Sequence, residues 1–125
     1  MSEILFVDDE ADIAEACVGY LQLEGYDAGL ATNATDAIRV IEKDKPLFLI
    51  IDLNLREKLS GLDVLKKALD VNPTARAAIL TGHSEEDVEK KCRAAGALAV
   101  YRKPMPLENF KEIVEELKRG GRAGN

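Results

Sequence analysis

The chain has two cysteines, one histidine, and no apolar run near its start longer than four residues. Cys17 and Cys92 make none of the spacings of a metal or redox motif. Each falls on the apolar face of a helix-period segment, so both read as small buried hydrophobes of a reducing cytoplasm. A four-residue run is too short for a signal peptide or a membrane span. The expectation is a cytoplasmic chain with no membrane partner. Positive charge is also scarce: 17 Lys and Arg against 23 Asp and Glu leave a net charge of −6 and a pI near 4.9. Binding a phosphate backbone draws on clustered cations, so direct contact with nucleic acid is not expected. What remains is ordinary for one globular domain: 125 residues, 46% hydrophobic and 32% charged.

Short apolar runs alternate with helix-period segments along the whole chain, the pattern of a parallel sheet with crossover helices. Ile13, Cys17, Tyr20 and Leu21 predict a first helix that Gly25 stops, and Tyr26, Ala28 and Leu30 alternate as an edge strand. Ala34, Ala37, Ile38 and Ile41 mark a second helix, closed by residues 43–46. Leu62, Leu65 and Leu69 mark a third, ended by Asn72-Pro73. Ser84, with Asp87 three residues on, is the expected N-cap of a fourth helix through Val88 and Cys92. Leu107, Phe110, Ile113, Val114 and Leu117 form the fifth. Five strands and five helices with right-handed crossovers predict an α/β, flavodoxin-like doubly wound sheet of order 2-1-3-4-5. The third strand, apolar throughout, is expected to be buried on both faces. Residues 120–125 read as a flexible tail or linker start.

Four apolar runs end on polar points: Ile4–Val7 on Asp8-Asp9, Leu47–Ile51 on Asp52, Ala77–Leu80 on Thr81, and Ala97–Tyr101 ahead of Lys103-Pro104. Alone, each has an ordinary explanation. An acid before a helix can cap it or complement its dipole, Thr81 can be a turn hydroxyl, and Lys103 a solvated charge. Jointly they are harder to dismiss, because the carboxyl edge of an open α/β sheet is where ligands bind. Crowded carboxylates repel unless a cation intervenes, and hard oxygens in this number suit Mg²⁺. One carboxylate is then free to attack phosphorus. Lys103 supplies charge to the phosphoryl oxygens, the Thr81 hydroxyl can donate to them, and Gly82 permits close backbone approach.

In these residues, and in gaps of 43, 29 and 22 residues between Asp9, Asp52, Thr81 and Lys103, the chain resembles the receiver domains of two-component response regulators across residues 2–119. The strand order is carried over from that family, whose chemotaxis member is a standard example. The resemblance implies a phosphorelay protein in which Asp52 is the phosphoacceptor and Asp8, Asp9, Asp52 and the backbone carbonyl of Asn54 hold Mg²⁺. It implies that Lys103 contacts the phosphoryl group, that Thr81 moves toward it, and that the Lys103-Pro104 bond is cis, a form X-Pro bonds adopt only ~5–6% of the time. The implied donor is the phosphohistidine of a sensor histidine kinase or phosphotransfer protein. The implied output is a downstream protein target or effector domain, with a phosphorylation-dependent homodimer left open. Such a protein is no enzyme beyond its own phosphorylation and dephosphorylation.

Several positions depart from the family. Val100 stands where an aromatic residue is usual, and Tyr101, one position along a strand, points to the other face. That puts the usual coupling between threonine and aromatic ring in doubt. Residues 55–60 hold no proline, and Gly61 follows Asp52 by nine residues where eight is common. His83, two positions past Thr81, is either an exposed loop residue or, with Asn54, a modulator of phosphoryl lifetime. Two competing readings are a docking module that is never phosphorylated and a small Mg²⁺-dependent phosphatase of the haloacid dehalogenase type. The latter fits poorly, since Asp8-Asp9-Glu10 lacks the Asp-x-Asp pattern and the chain has no room for a cap.

Overall fold

Five consecutive apolar or acidic residues, Phe48–Asp52, form a strand buried at every position. In the computed structural model, which describes residues 3–55, 60–82 and 86–120, this strand is the centre of a five-stranded parallel sheet. The elements run β1 (Ile4–Val7), α1 (Ala11–Leu23), β2 (Ala28–Ala31), α2 (Ala34–Asp44), β3 (Phe48–Asp52), α3 (Gly61–Val71), β4 (Arg76–Thr81), α4 (Glu86–Ala94), β5 (Ala99–Arg102) and α5 (Glu108–Lys118). The order across the sheet is β2-β1-β3-β4-β5, the order that the family resemblance implied. Val7 pairs with Ile51, and Asp52 with Leu80, so the ends of the three central strands lie level.

Period-2 alternation divides the apolar residues between two cores. Leu5, Val7, Leu49, Ile51, Ala77 and Ile79 face α2, α3 and α4. Ile4, Phe6, Phe48, Ile50, Ala78 and Leu80 face α1 and α5, where Phe6 meets Phe110 edge to face with ring centroids 5.5 Å apart. Local chemistry sets the helix limits. Asn33 Oδ1 accepts the Asp36 N–H at 2.7 Å and starts α2. The Ser60 N–H donates to the Asp63 carboxylate at 2.8 Å and starts α3. Gly25, at φ 94°, turns the chain out of α1. At the far pole, Arg76 Nη1 donates to the carbonyls of Leu117 and Lys118 at 3.0 and 2.8 Å, satisfying the end of α5.

Three positions depart from expectation, two in the core and one in a strand. Ile13 and Leu107 are 46% and 40% exposed. Ala14 and Val18 take the buried face of α1 with Cys17 and Leu21, and Leu107 precedes α5 as its N-cap residue. Tyr26 lies before β2, not within it. In α3 the fully buried stripe is Val64, Leu65 and Ala68, with Leu62 and Leu69 at its margins. Leu65→Ala should therefore cost about 2–5 kcal/mol in urea unfolding, and Leu62→Ala clearly less. Equal losses would contradict this packing. Cys17 and Cys92 are buried and unpaired with one another, as expected. Burial pushes the Cys17 thiol up to about 11, with the Asp8 charge adding to the effect. Ser84 and most of the expected tail lie outside the described residues.

Candidate functional site

Each polar point is fixed by a backbone bond from the neighbouring strand. The Asp8 N–H donates to Ala31 O at 3.1 Å, the Leu53 N–H to Leu80 O at 2.8 Å, and the Lys103 N–H to Thr81 O at 2.8 Å. The sheet's own ladder thus carries Asp8, Asp52, Thr81 and Lys103 to one edge. Asp8, Asp52 and Thr81 are buried there, and Asp9 is half-buried. Oxygens of Asp8, Asp9 and Asp52 lie within 4.8 Å of one another.

Lys103 enters this cluster from β5. Its Nζ is 3.2 Å from Asp8 Oδ2, 3.3 Å from Asp52 Oδ2 and 3.5 Å from Glu10 Oε1. Burial pushes the Asp52 carboxyl above the usual range; Lys103 opposes the shift, Asp8 adds to it, and the Asn54 N–H, donating to Oδ1 at 3.1 Å, opposes it again. For Lys103, burial works against the charged form, but Asp52 and Asp8 outweigh it and hold the ammonium above its ordinary value. Glu10 was not singled out from sequence, where it is simply the third acid of Asp8-Asp9-Glu10.

Gly61 supports the floor of the site. A Cβ on Gly61 would lie 2.3 Å from the Asp52 carbonyl oxygen, and its N–H donates to Leu53 O at 3.0 Å. The ninth position after Asp52 thus lies directly against the strand end. Gly82 is exposed with open space around it. Val100 packs with the α2–α4 core, while Tyr101 packs with the α1/α5 core and donates its hydroxyl to the Glu116 carboxylate. Desolvation, reinforced by Glu116, pushes the Tyr101 phenol up. The Lys103-Pro104 bond is cis. His83 lies outside the described residues. Beside the cluster, Ile13, Ala16, Met105 and Leu107 line an open apolar groove of about 420 Å³, with Asp8 and Lys103 on its wall.

Residues 4–115 match the response regulator receiver domain family. The chain belongs to that family. Among its relatives, this receiver is 25% identical to sporulation initiation phosphotransferase F of Bacillus subtilis, covering 91% of both chains. It is 30% identical to the nitrogen assimilation regulatory protein NtrX of Azorhizobium caulinodans, covering 90% of this chain but 25% of that one. It thus spans nearly the whole of one relative and only a part of a longer one. The receiver domain of a putative Luxo repressor protein from Vibrio parahaemolyticus superposes with a TM-score of 0.83 at 30% identity, covering 94% of this chain and 91% of that one. A response regulator from Burkholderia pseudomallei, solved with a phosphorylated aspartic acid and a calcium ion, gives 0.78 at 25% identity over 98% of this chain and 76% of its own.

The donor set of this receiver fits a divalent cation. Among the described residues it offers three carboxylates and no sulfur or imidazole, which suits Mg²⁺ or Ca²⁺ over softer metals. Two of those carboxylates are buried with one ammonium between them. A cation would relieve their repulsion. Among the described residues no helix is long and apolar enough to cross a membrane.

Proposed function

We propose that residues 2–119 act as a phosphorylatable switch: Asp52 accepts a phosphoryl group from a phosphohistidine on a sensor histidine kinase or phosphotransfer protein. The observation that carries this reading is the Asp52 carboxylate at the end of β3, beside Asp8 and Asp9 and 3.3 Å from the Lys103 ammonium. An Asp52 oxygen forms the new P–O bond as the P–N bond breaks, and the leaving imidazole keeps the electron pair and takes up a proton. Asp8, Asp9, Asp52 and the Asn54 carbonyl would hold Mg²⁺, which would supply positive charge to the transferring group. Lys103 holds an equatorial oxygen, and the Thr81 hydroxyl donates to another. The exposed Ile13 and Leu107 beside the site favour a protein donor, because an apolar groove gives a partner surface to bury. Output then passes through a changed protein-binding surface, to a separate target or to an effector domain in a longer chain.

Acetyl phosphate with Mg²⁺ should add one phosphoryl group to the native chain by intact mass, and chelation should prevent it. A chain that stays unmodified under both conditions favours the docking module. Rapid turnover of phosphomonoesters favours the phosphatase, a reading that Asp8-Asp9-Glu10 supports poorly.

The switch should run through the segment after β4. Val100 presents no ring to the space beside Thr81, and Tyr101 is tied to Glu116 on the other face of the sheet. Beryllofluoride with Mg²⁺ should shift the amides of residues 82–88 more than that of Tyr101. Shifts centred on Tyr101 would contradict this route.

A further inference from the structure

Glu10 occupies the N-cap position of α1, yet its side chain makes no cap hydrogen bond. Ser, Thr, Asp or Asn there would stabilise a helix, and Glu is not among the favoured residues. Its main chain is nonetheless held firmly. The Glu10 N–H donates to Asp8 Oδ1 at 2.9 Å, and its carbonyl accepts the Ala14 N–H at 2.9 Å. From that fixed point the carboxylate turns toward the sheet edge and reaches Lys103 Nζ at 3.5 Å. The side chain therefore serves Lys103 and not the helix.

Among the described residues Lys103 has three anionic partners in its ion pairs, and they are not equivalent. Asp8 and Asp52 are oxygen donors of the cation cluster, whereas Glu10 is not a member of it. The Asp8 and Asp52 side chains are almost wholly buried, and that of Glu10 is 42% exposed at the rim. A divalent cation binding to Asp8, Asp9 and Asp52 competes with Lys103 for two of these partners. Glu10 is the one that the cation leaves to it.

We propose that Glu10 is a positioning residue for Lys103, retaining the ammonium at the rim when a divalent cation takes Asp8 and Asp52. The inference rests on the cation-binding reading given above. With Glu10 present, Lys103 yields the two buried carboxylates without moving its charge into solvent or against the cation. Without it, Lys103 binds Asp8 and Asp52 alone, and the incoming cation must displace it from both.

The test is Mg²⁺ titration of the unphosphorylated protein, followed by amide shifts. Glu10→Gln should weaken Mg²⁺ binding about fivefold, near the upper end of what a partly exposed ion pair supplies. Asp12→Asn removes a nearby acid that has no contact with Lys103 among the described ion pairs, and should weaken it by much less. In a Lys103→Met background, Glu10→Gln should have no further effect beyond that of Asp12→Asn. In metal-free protein, Glu10→Gln should also move the Lys103 side-chain methylene resonances, and Asp12→Asn should leave them in place. Equal losses from Glu10→Gln and Asp12→Asn overturn the proposal, since they reduce it to a general field. So does a full fivefold loss that persists without Lys103, which would make Glu10 a direct metal ligand. A native chain that binds no Mg²⁺ overturns the cation-site reading and this inference with it. Native binding that Glu10→Gln leaves unchanged overturns this inference alone.

Discussion

Asp52→Asn should abolish the phosphodonor-dependent mass increase altogether, because no other carboxylate ends the central strand beside Lys103. The amide keeps the shape of the side chain and can still accept from the Asn54 N–H, so the fold is retained. A second consequence follows from the raised Asp52 ionisation, whose largest cause is burial. A carboxyl with a folded pKa above its unfolded value contributes stability that is fully present below the ordinary aspartate range. That contribution is lost as pH rises through the folded value. In metal-free buffer at neutral pH the Asn variant, which carries no charge to desolvate, should melt higher than the native chain. The gap should close as pH falls below about 4, the ordinary aspartate range. Added Mg²⁺ should narrow it from the other side by stabilising the native carboxylate. Persistence of the phosphoryl adduct in this variant would remove Asp52 from the acceptor role.

Gly61→Ala should be the most damaging single-methyl change at the site. The added Cβ meets the Asp52 carbonyl oxygen at 2.3 Å and the Leu53 Cα at 2.8 Å, both backbone atoms that no rotamer change can move. Either α3 lifts from the sheet or the end of β3 bends. The expected cost is about 2–4 kcal/mol, from overpacking against a well-packed strand. Urea unfolding at constant m-value reads it. The phosphorylation rate should fall as well, since the same clash displaces Asp52. Gly82→Ala provides the contrast: nothing lies within 4 Å of its added methyl, and stability should change little. If Gly61→Ala and Gly82→Ala prove equally mild, the close approach is not as described.

The sheet and the gathering of polar points were legible because both follow from local pattern. Runs such as Ile4–Val7 and Phe48–Asp52 can be buried only as inner strands, and parallel strands place their ends together. Which arc of a helix faces the sheet was less legible. In α3, Leu62, Leu65 and Leu69 and then Val64, Leu65 and Ala68 form two overlapping apolar arcs, and only the seating of the helix chooses between them. Ile13 and Leu107 misled for another reason. Both are apolar at helical spacing, but they flank a groove at the site's rim and not a core. Glu10 could not be found locally, because an acid at a helix start reads as a dipole complement. Its partner lies 93 residues away in sequence. The opposite orientations of Val100 and Tyr101, by contrast, follow from strand alternation alone.

The hydrogen bond from the Gly61 N–H to Leu53 O closes the segment 54–60 at its neck. The neck joins the end of β3 to the start of α3 directly. At its two ends Asn54 is committed to Asp52 and Ser60 to the start of α3, which leaves 56–59 as the positions open to exchange. An extra residue between Leu55 and Ser60 should therefore leave Asp52 in place. Variation there should tune what approaches the Asp52 carboxylate, while the residues beneath it stay the same. Grafting segments of other lengths between Leu55 and Ser60 is thus a route to receivers with altered partners and lifetimes on an unaltered floor.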